Sequence, residues 1–145
     1  MDQKTIADTH TTHHGKVEKN DLNRYDLMHG GRLLTICDEV GHIAAMKHAG
    51  ADCLTRAAHD IQFLSMLKIG DPYTVDARVI LTGRTTLWVT TIVKSGEKSV
   101  MKAVFVYITV DSAFKPTPVP EITARSPEEK QEQVMMKQLI RQVKT

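Results

Sequence analysis

Residues 73–82 alternate strictly, with Tyr73, Val75, Ala77, Val79 and Leu81 falling between Thr74, Asp76, Arg78, Ile80 and Thr82. That is the period-two signature of a half-buried strand. After the break at Gly83-Arg84 the alternation returns in Leu87, Val89, Thr91 and Val93, and Ser95-Gly96-Glu97 marks a hairpin turn. Residues 100–110 are apolar on both faces, with Val104, Val106 and Ile108 on one and Met101, Ala103, Phe105 and Tyr107 on the other. A strand of that kind is covered on both sides. A different period governs residues 32–47. Placed at about 100° per residue, Leu33, Leu34, Ile36, Cys37, Val40, Gly41, Ile43, Ala44 and Ala45 cover well over half the circumference, leaving Arg32, Thr35, Glu39, His42 and Met46 as the exposed stripe. A helix apolar over so wide an arc is wrapped, most simply by a curved sheet.

The remaining segments connect these elements. The first twenty residues show the faint alternation of an edge strand, and residues 20–31 form a polar loop ending in the pair Gly30-Gly31. Residues 51–67 read as two short strand pieces before the turn Gly70-Asp71-Pro72. Ser126-Pro127-Glu128-Glu129 combines an N-cap, a first-position proline and a capping-box glutamate. The helix it opens carries Val134, Met135, Met136, Leu139, Ile140 and Val143 on one face, which needs a surface to dock on. The pattern predicts an α+β domain over residues 1–125, an antiparallel sheet curled round its first helix, followed by a helical extension over 126–145.

The 145 residues suffice for one core. Seven aromatics leave that core to aliphatic side chains, and a small domain of this kind completes its burial by oligomerising. A net charge of +2 with scattered Lys and Arg argues against nucleic acid as partner. No apolar run approaches the roughly 20 residues that cross a bilayer. The first residues lack the basic start and apolar core of a secretory signal. Cys37 and Cys53 lack metal-ligand or redox-pair spacing, so they are expected to be reduced thiols in a cytoplasmic protein.

Chemistry converges on the first helix. Gly30-Gly31 at its start leaves backbone N–H groups that no side chain shields, with the positive end of the helix dipole behind them. They suit a phosphate, a carboxylate or a developing oxyanion, or else a tight turn packed closely on the sheet. Asp38 falls at the edge of the apolar arc, where lost hydration would make it a better base. The competing reading is a surface aspartate paired with Arg32 or His42. Asn23 orients a water or a carbonyl, or simply forms a turn. His10, His13 and His14 have no second half of a metal site with fixed spacing, so no metal is expected.

The run Asn23-Arg24-Tyr25-Asp26-Leu27-Met28-His29-Gly30-Gly31, followed by Leu33-Leu34 and Asp38, resembles the Asn-x-x-Gly-x-x-x-Gly-Gly-x-Leu-Leu-x-x-x-Asp pattern of hotdog-fold acyl-CoA thioesterases, closest to the YciA-type and brain-type acyl-CoA hydrolases. Phe63-Leu64, Lys68-Ile69-Gly70-Asp71 and Thr82-Gly83-Arg84-Thr85-Thr86 continue the likeness, which spans roughly residues 17–110. The resemblance implies a hotdog fold, and a homodimer whose two sheets join edge to edge, assembling to a hexamer with sites at the subunit interface. It implies hydrolysis of acyl-CoA to free acid and CoA, with coenzyme A entering only as part of the substrate and no cofactor needed. Asp38 then corresponds to the catalytic base or nucleophile. Asn23, from the other subunit, positions water or thioester, and the Gly31 N–H, beside Gly30, faces the thioester oxygen. Lys68, Arg84 and Arg56 are candidates for the CoA phosphates, and His29 and His59 stand near the implied site. Asp26 replaces the family's glycine, His29 an aromatic, Ala58-His59 a Val-Asp and Ser65-Met66 an Arg-Pro, all around the acyl pocket. The alternative is a non-catalytic acyl-CoA sensor on the same fold.

Overall fold

The computed structural model describes residues 4–144. Five strands, β1 (Thr11–Lys16), β2 (Cys53–Phe63), β3 (Pro72–Thr82), β4 (Thr86–Ser95) and β5 (Lys98–Thr109), form one antiparallel sheet in the order β1-β3-β4-β5-β2. The sheet curves round α1 (Gly30–Ala49), which packs against every strand; this is the hotdog fold. A second helix, α2 (Pro127–Lys144), lies on the convex face.

The helix α1 extends two residues beyond the predicted span at each end, closing at Gly50, whose φ of 64° is left-handed and whose N–H reaches Met46 O. Leu33, Ile36 and Val40 are buried against the sheet, each burial contributing about 1.5–3 kcal/mol. The apolar arc is narrower than the wheel suggests, because Ile43 is 45% exposed. His48, outside both sets, is fully buried and donates from Nε2 to Pro120 O at 2.6 Å. Burial lowers its pKa, so the ring is neutral.

The two strand pieces expected in residues 51–67 are one strand, β2. Its pairing with β5 slips between Thr55 and Ala57 and again between His59 and Gln62, and Asp60 has a positive φ of 49°. Bulges of this kind break the period-two pattern without ending the strand. On its other side β2 has no neighbour among the described residues, so one sheet edge is open.

The capping box opens α2 as expected, with Glu129 N–H donating to Ser126 Oγ at 3.0 Å and Ser126 N–H to Glu129 Oε1 at 3.1 Å. The helix crosses β3, where Arg78 pairs with Glu132 at 2.6 Å and Gln133 Nε2 donates to Ile80 O at 3.1 Å. The ion pair is half-exposed and contributes about 0–1 kcal/mol, so the docking rests on apolar contact such as the buried Met136.

Candidate active site

Asp38 sits in the middle of α1, half-buried, on the side facing β5 and the open edge strand β2. Thr55 of β2 donates its hydroxyl to Asp38 Oδ1 at 2.8 Å. The Tyr107 hydroxyl, from β5, is shared between Asp38 O at 2.8 Å and Oδ1 at 3.0 Å. Burial, reinforced by the Asp38 carboxylate, pushes the Tyr107 phenol above its ordinary pKa, so it remains a donor. Tyr107 reaches this position only because residue 41 is glycine: a Cβ there would stand 2.5 Å from the hydroxyl oxygen. Oδ1 is thereby fixed by two donors, while Oδ2 has no hydrogen-bond partner among the described residues. Two hollows of about 240 and 310 Å³ open beside the carboxylate.

Neither partner of the competing surface reading reaches Asp38. Arg32 Nε pairs with Asp21 at 3.3 Å, and His42 Nε2 donates to Cys53 O at 2.6 Å. The adjacent Cys37 is buried, its thiol pushed up to about 12, so it offers no thiolate near neutral pH.

The start of α1 differs from the sequence expectation. Its N–H groups are not all unshielded, because His29 is the N-cap and its Nδ1 accepts from Gly31 N–H at 3.0 Å. An imidazole nitrogen is an acceptor like the usual capping oxygens, so it satisfies the same orphan donor. Asn23 is a turn former, its Oδ1 accepting from Tyr25 N–H at 2.8 Å and Leu27 N–H at 3.2 Å. Its two amide N–H groups have no partner among the described residues and can still meet a ligand. Asp26, where the thioesterase pattern has glycine, has a φ of 60°. Aspartate is among the few non-glycine residues that accept this conformation, so the loop survives the replacement.

The structure brings some predicted residues together and separates others. Arg56, in the first bulge of β2, lines the larger hollow beside Asp38. His59 does not join it: paired opposite Val104, it lies on the convex face, stacked 5.7 Å from Trp88 at 15°. Lys68 and Arg84 are exposed at opposite ends of the 11-residue strand β3, about 35 Å apart along it. His10 pairs with Asp76 at 2.7 Å, His14 lies 3.3 Å from Thr74 Oγ1, and His13 packs on Tyr73. No group of three metal-ligating side chains converges among the described residues. Thr55 and Tyr107 went unrecognised as site residues. The sequence signal for Thr55 is a hydroxyl in an edge strand otherwise running through Cys53, Leu54, Ala57 and Ala58.

The family model of the thioesterase superfamily matches residues 25–102, from the loop before α1 into β5. The chain belongs to that superfamily. Among its relatives, this thioesterase-superfamily chain is 25% identical over 122 residues to the cytosolic acyl coenzyme A thioester hydrolase of Rattus norvegicus, covering 79% of this chain and 32% of the rat protein. It thus spans about a third of that relative's length. In structure it resembles the acyl-CoA hydrolase of Staphylococcus aureus, solved with butyryl coenzyme A and coenzyme A, at a TM-score of 0.90 and 25% identity, covering 99% of this chain and 91% of the other. Alanine variants of one aspartate, one asparagine and one threonine of that hydrolase have also been solved. An apo-hexameric acyl-CoA thioesterase matches at a TM-score of 0.88 and 26% identity, over 94% of this chain and 91% of that one.

Proposed function

We propose that this protein hydrolyses acyl-CoA thioesters to free acid and CoA, with Asp38 as the general base. The observation that carries this reading is the Asp38 carboxylate, held through Oδ1 by Thr55 and Tyr107, with Oδ2 left without a hydrogen-bond partner among the described residues and the side chain lining a hollow. A base needs a fixed orientation and an accessible lone pair, and Oδ2 has both. Water deprotonated there attacks the thioester carbonyl, the C–S bond breaks, and CoA leaves as a thiolate that takes up the proton. The variants studied in the S. aureus hydrolase fit this reading. Its asparagine, aspartate and threonine stand at the same spacing along the chain as Asn23, Asp38 and Thr55.

One protomer does not hold a whole site. Gly30 and Asp38 are eight residues apart on one helix, about 12 Å by the helical rise. A reacting carbonyl and its water must lie within about 3.5 Å. The helix α1 runs antiparallel to β2, so Asp38 stands by Thr55 and Gly30 by Phe63. Antiparallel pairing of the open β2 edge with a partner's β2, about an axis near His59, reverses these ends. The partner's Asn23, Gly30 and Gly31 then face Asp38, and a homodimer with two composite sites results. The hexameric neighbour is consistent with three such dimers. The same pairing brings Lys68 of one subunit toward Arg84 and Arg56 of the other, where they meet the CoA phosphates. The thioester oxygen replaces His29 Nδ1 on the Gly31 N–H, which stabilises the oxyanion. No helix among the described residues is long and apolar enough to cross a membrane.

The first test is release of free CoA thiol from straight-chain acyl-CoAs between acetyl and palmitoyl. Multiple turnovers are expected on at least one of them. Saturable binding without thiol release would instead establish the sensor reading.

A further inference from the structure

The two donors that hold Asp38 Oδ1 come from different strands, and one side chain touches the support of both. His42 stands a helical turn after Asp38 on α1, half-buried, and its Nε2 lies 2.6 Å from Cys53 O. A carbonyl only accepts, so Nε2 carries the proton and donates it. Cys53 opens β2 two residues before Thr55, whose hydroxyl reaches Asp38 Oδ1 at 2.8 Å. The His42 ring also packs on Tyr107, the second donor to Oδ1, with centroids 5.9 Å apart and planes at 46°. The tie matters most on the β2 side. Before the bulge at Arg56, β2 pairs with β5 only through Cys53, Leu54 and Thr55, opposite Thr109, Ile108 and Tyr107. So short a ladder at the end of an edge strand opens easily, and the bond from His42 fastens it to the helix that carries the carboxylate.

We infer that His42 is a positioning residue for the Asp38 carboxylate: by tying the start of β2 to α1 and backing Tyr107, it keeps both donors on Oδ1 and so fixes the direction of Oδ2. The inference rests on the thioesterase reading above, in which Asp38 is the base. His42 makes these contacts within its own chain, and none of them uses a residue from a partner. It acts through Thr55 and Tyr107 rather than on water or thioester. Without it the carboxylate is free to turn about its side-chain torsion, and a displacement of about 1 Å at a reacting group costs as much as a hundredfold in rate. That loss falls on kcat, because the carboxylate acts in the chemical step and not in substrate binding.

The test is kcat and KM of the intact protein on the acyl-CoA that the wild type turns over fastest, with thermal denaturation to confirm that each variant folds. His42→Ala is expected to lower kcat roughly ten- to hundredfold with KM nearly unchanged. His42→Gln, whose amide Nε2 takes the place of the imidazole Nε2, recovers most of that loss. Thr55→Ala lowers kcat as well, and adding His42→Ala to it costs less than His42→Ala costs in the wild type, since both act on one carboxylate oxygen. If His42→Ala does not fold, His42→Asn, polar but too short to reach Cys53 O, replaces it in each comparison. Near-wild-type kcat in the folded Ala or Asn variant, no recovery with Gln, or losses that simply multiply in the double variant would overturn the positioning role while leaving the thioesterase reading intact. Thiol release from no acyl-CoA by the wild type would overturn the thioesterase reading, and the role of His42 with it.

Discussion

Asp38→Asn lowers kcat for acyl-CoA hydrolysis by between about 10²- and 10⁴-fold, the range a positioned general base supplies. The substitution keeps the shape of the side chain and an acceptor oxygen for Thr55 and Tyr107, whose bonds to Oδ1 are 2.8 and 3.0 Å. It removes the basic lone pair on Oδ2, the oxygen without a hydrogen-bond partner among the described residues. The fold, the melting temperature and the oligomer mass should therefore stay close to wild type, and KM should change little. Steady-state kinetics beside thermal denaturation and light scattering separate these quantities. Near-normal kcat in a folded Asp38→Asn protein would remove Asp38 from the chemistry.

Gly41→Ala is expected to damage stability and activity together. The added Cβ would meet the Tyr107 hydroxyl at 2.5 Å, well inside contact distance, and Tyr107 is fully buried with no room to swing aside. Overpacking of this kind costs about 1–3 kcal/mol. Displacement of Tyr107 also deprives Oδ1 of a donor, loosening the carboxylate that the reaction needs fixed. Tyr107→Phe is the control: it loses the hydroxyl without the clash. Denaturant melts should show a clear loss for Gly41→Ala and a smaller one for Tyr107→Phe, with both reducing kcat. A Gly41→Ala protein of wild-type stability would mean that the helix and β5 are less tightly apposed than described.

Much of this arrangement could be read from residue order. The alternation over 73–82 and 87–93, the two-sided strand at 100–110, the Ser126 capping box and the broad arc of the first helix all follow from local periodicity, which tertiary packing reinforces. Asp38 stood out because a carboxylate on the edge of an apolar arc is unusual. Its partners did not. Thr55 lies beside the bulge at Arg56, and that bulge with the positive φ of Asp60 hides β2 as a single strand. Tyr107 reads as one more core residue, because only the close approach across Gly41 lets its hydroxyl find the helix. The shielding of Gly31 by His29 depends on a ring rotamer that no spacing specifies. His59 was misleading for a related reason: a two-residue irregularity and the strand's pleat decide its face, and they send it toward Trp88.

In the proposed site, the Asp38 carboxylate and the helix start that receives the thioester come from different subunits. Mixed oligomers test this directly. Asp38→Asn and Asn23→Ala chains carrying different tags are co-expressed, purified through both tags, and assayed for thiol release beside each parent. In a composite site, each mixed dimer has one site bearing both substitutions and one bearing neither. Two nearly inactive parents should therefore yield a mixed oligomer with activity restored to between about a quarter and half of wild type, since at most one site in two is intact. Activity no higher than that of the parents would contradict a composite site, because every site would then be built within a single chain and would carry one of the two lesions.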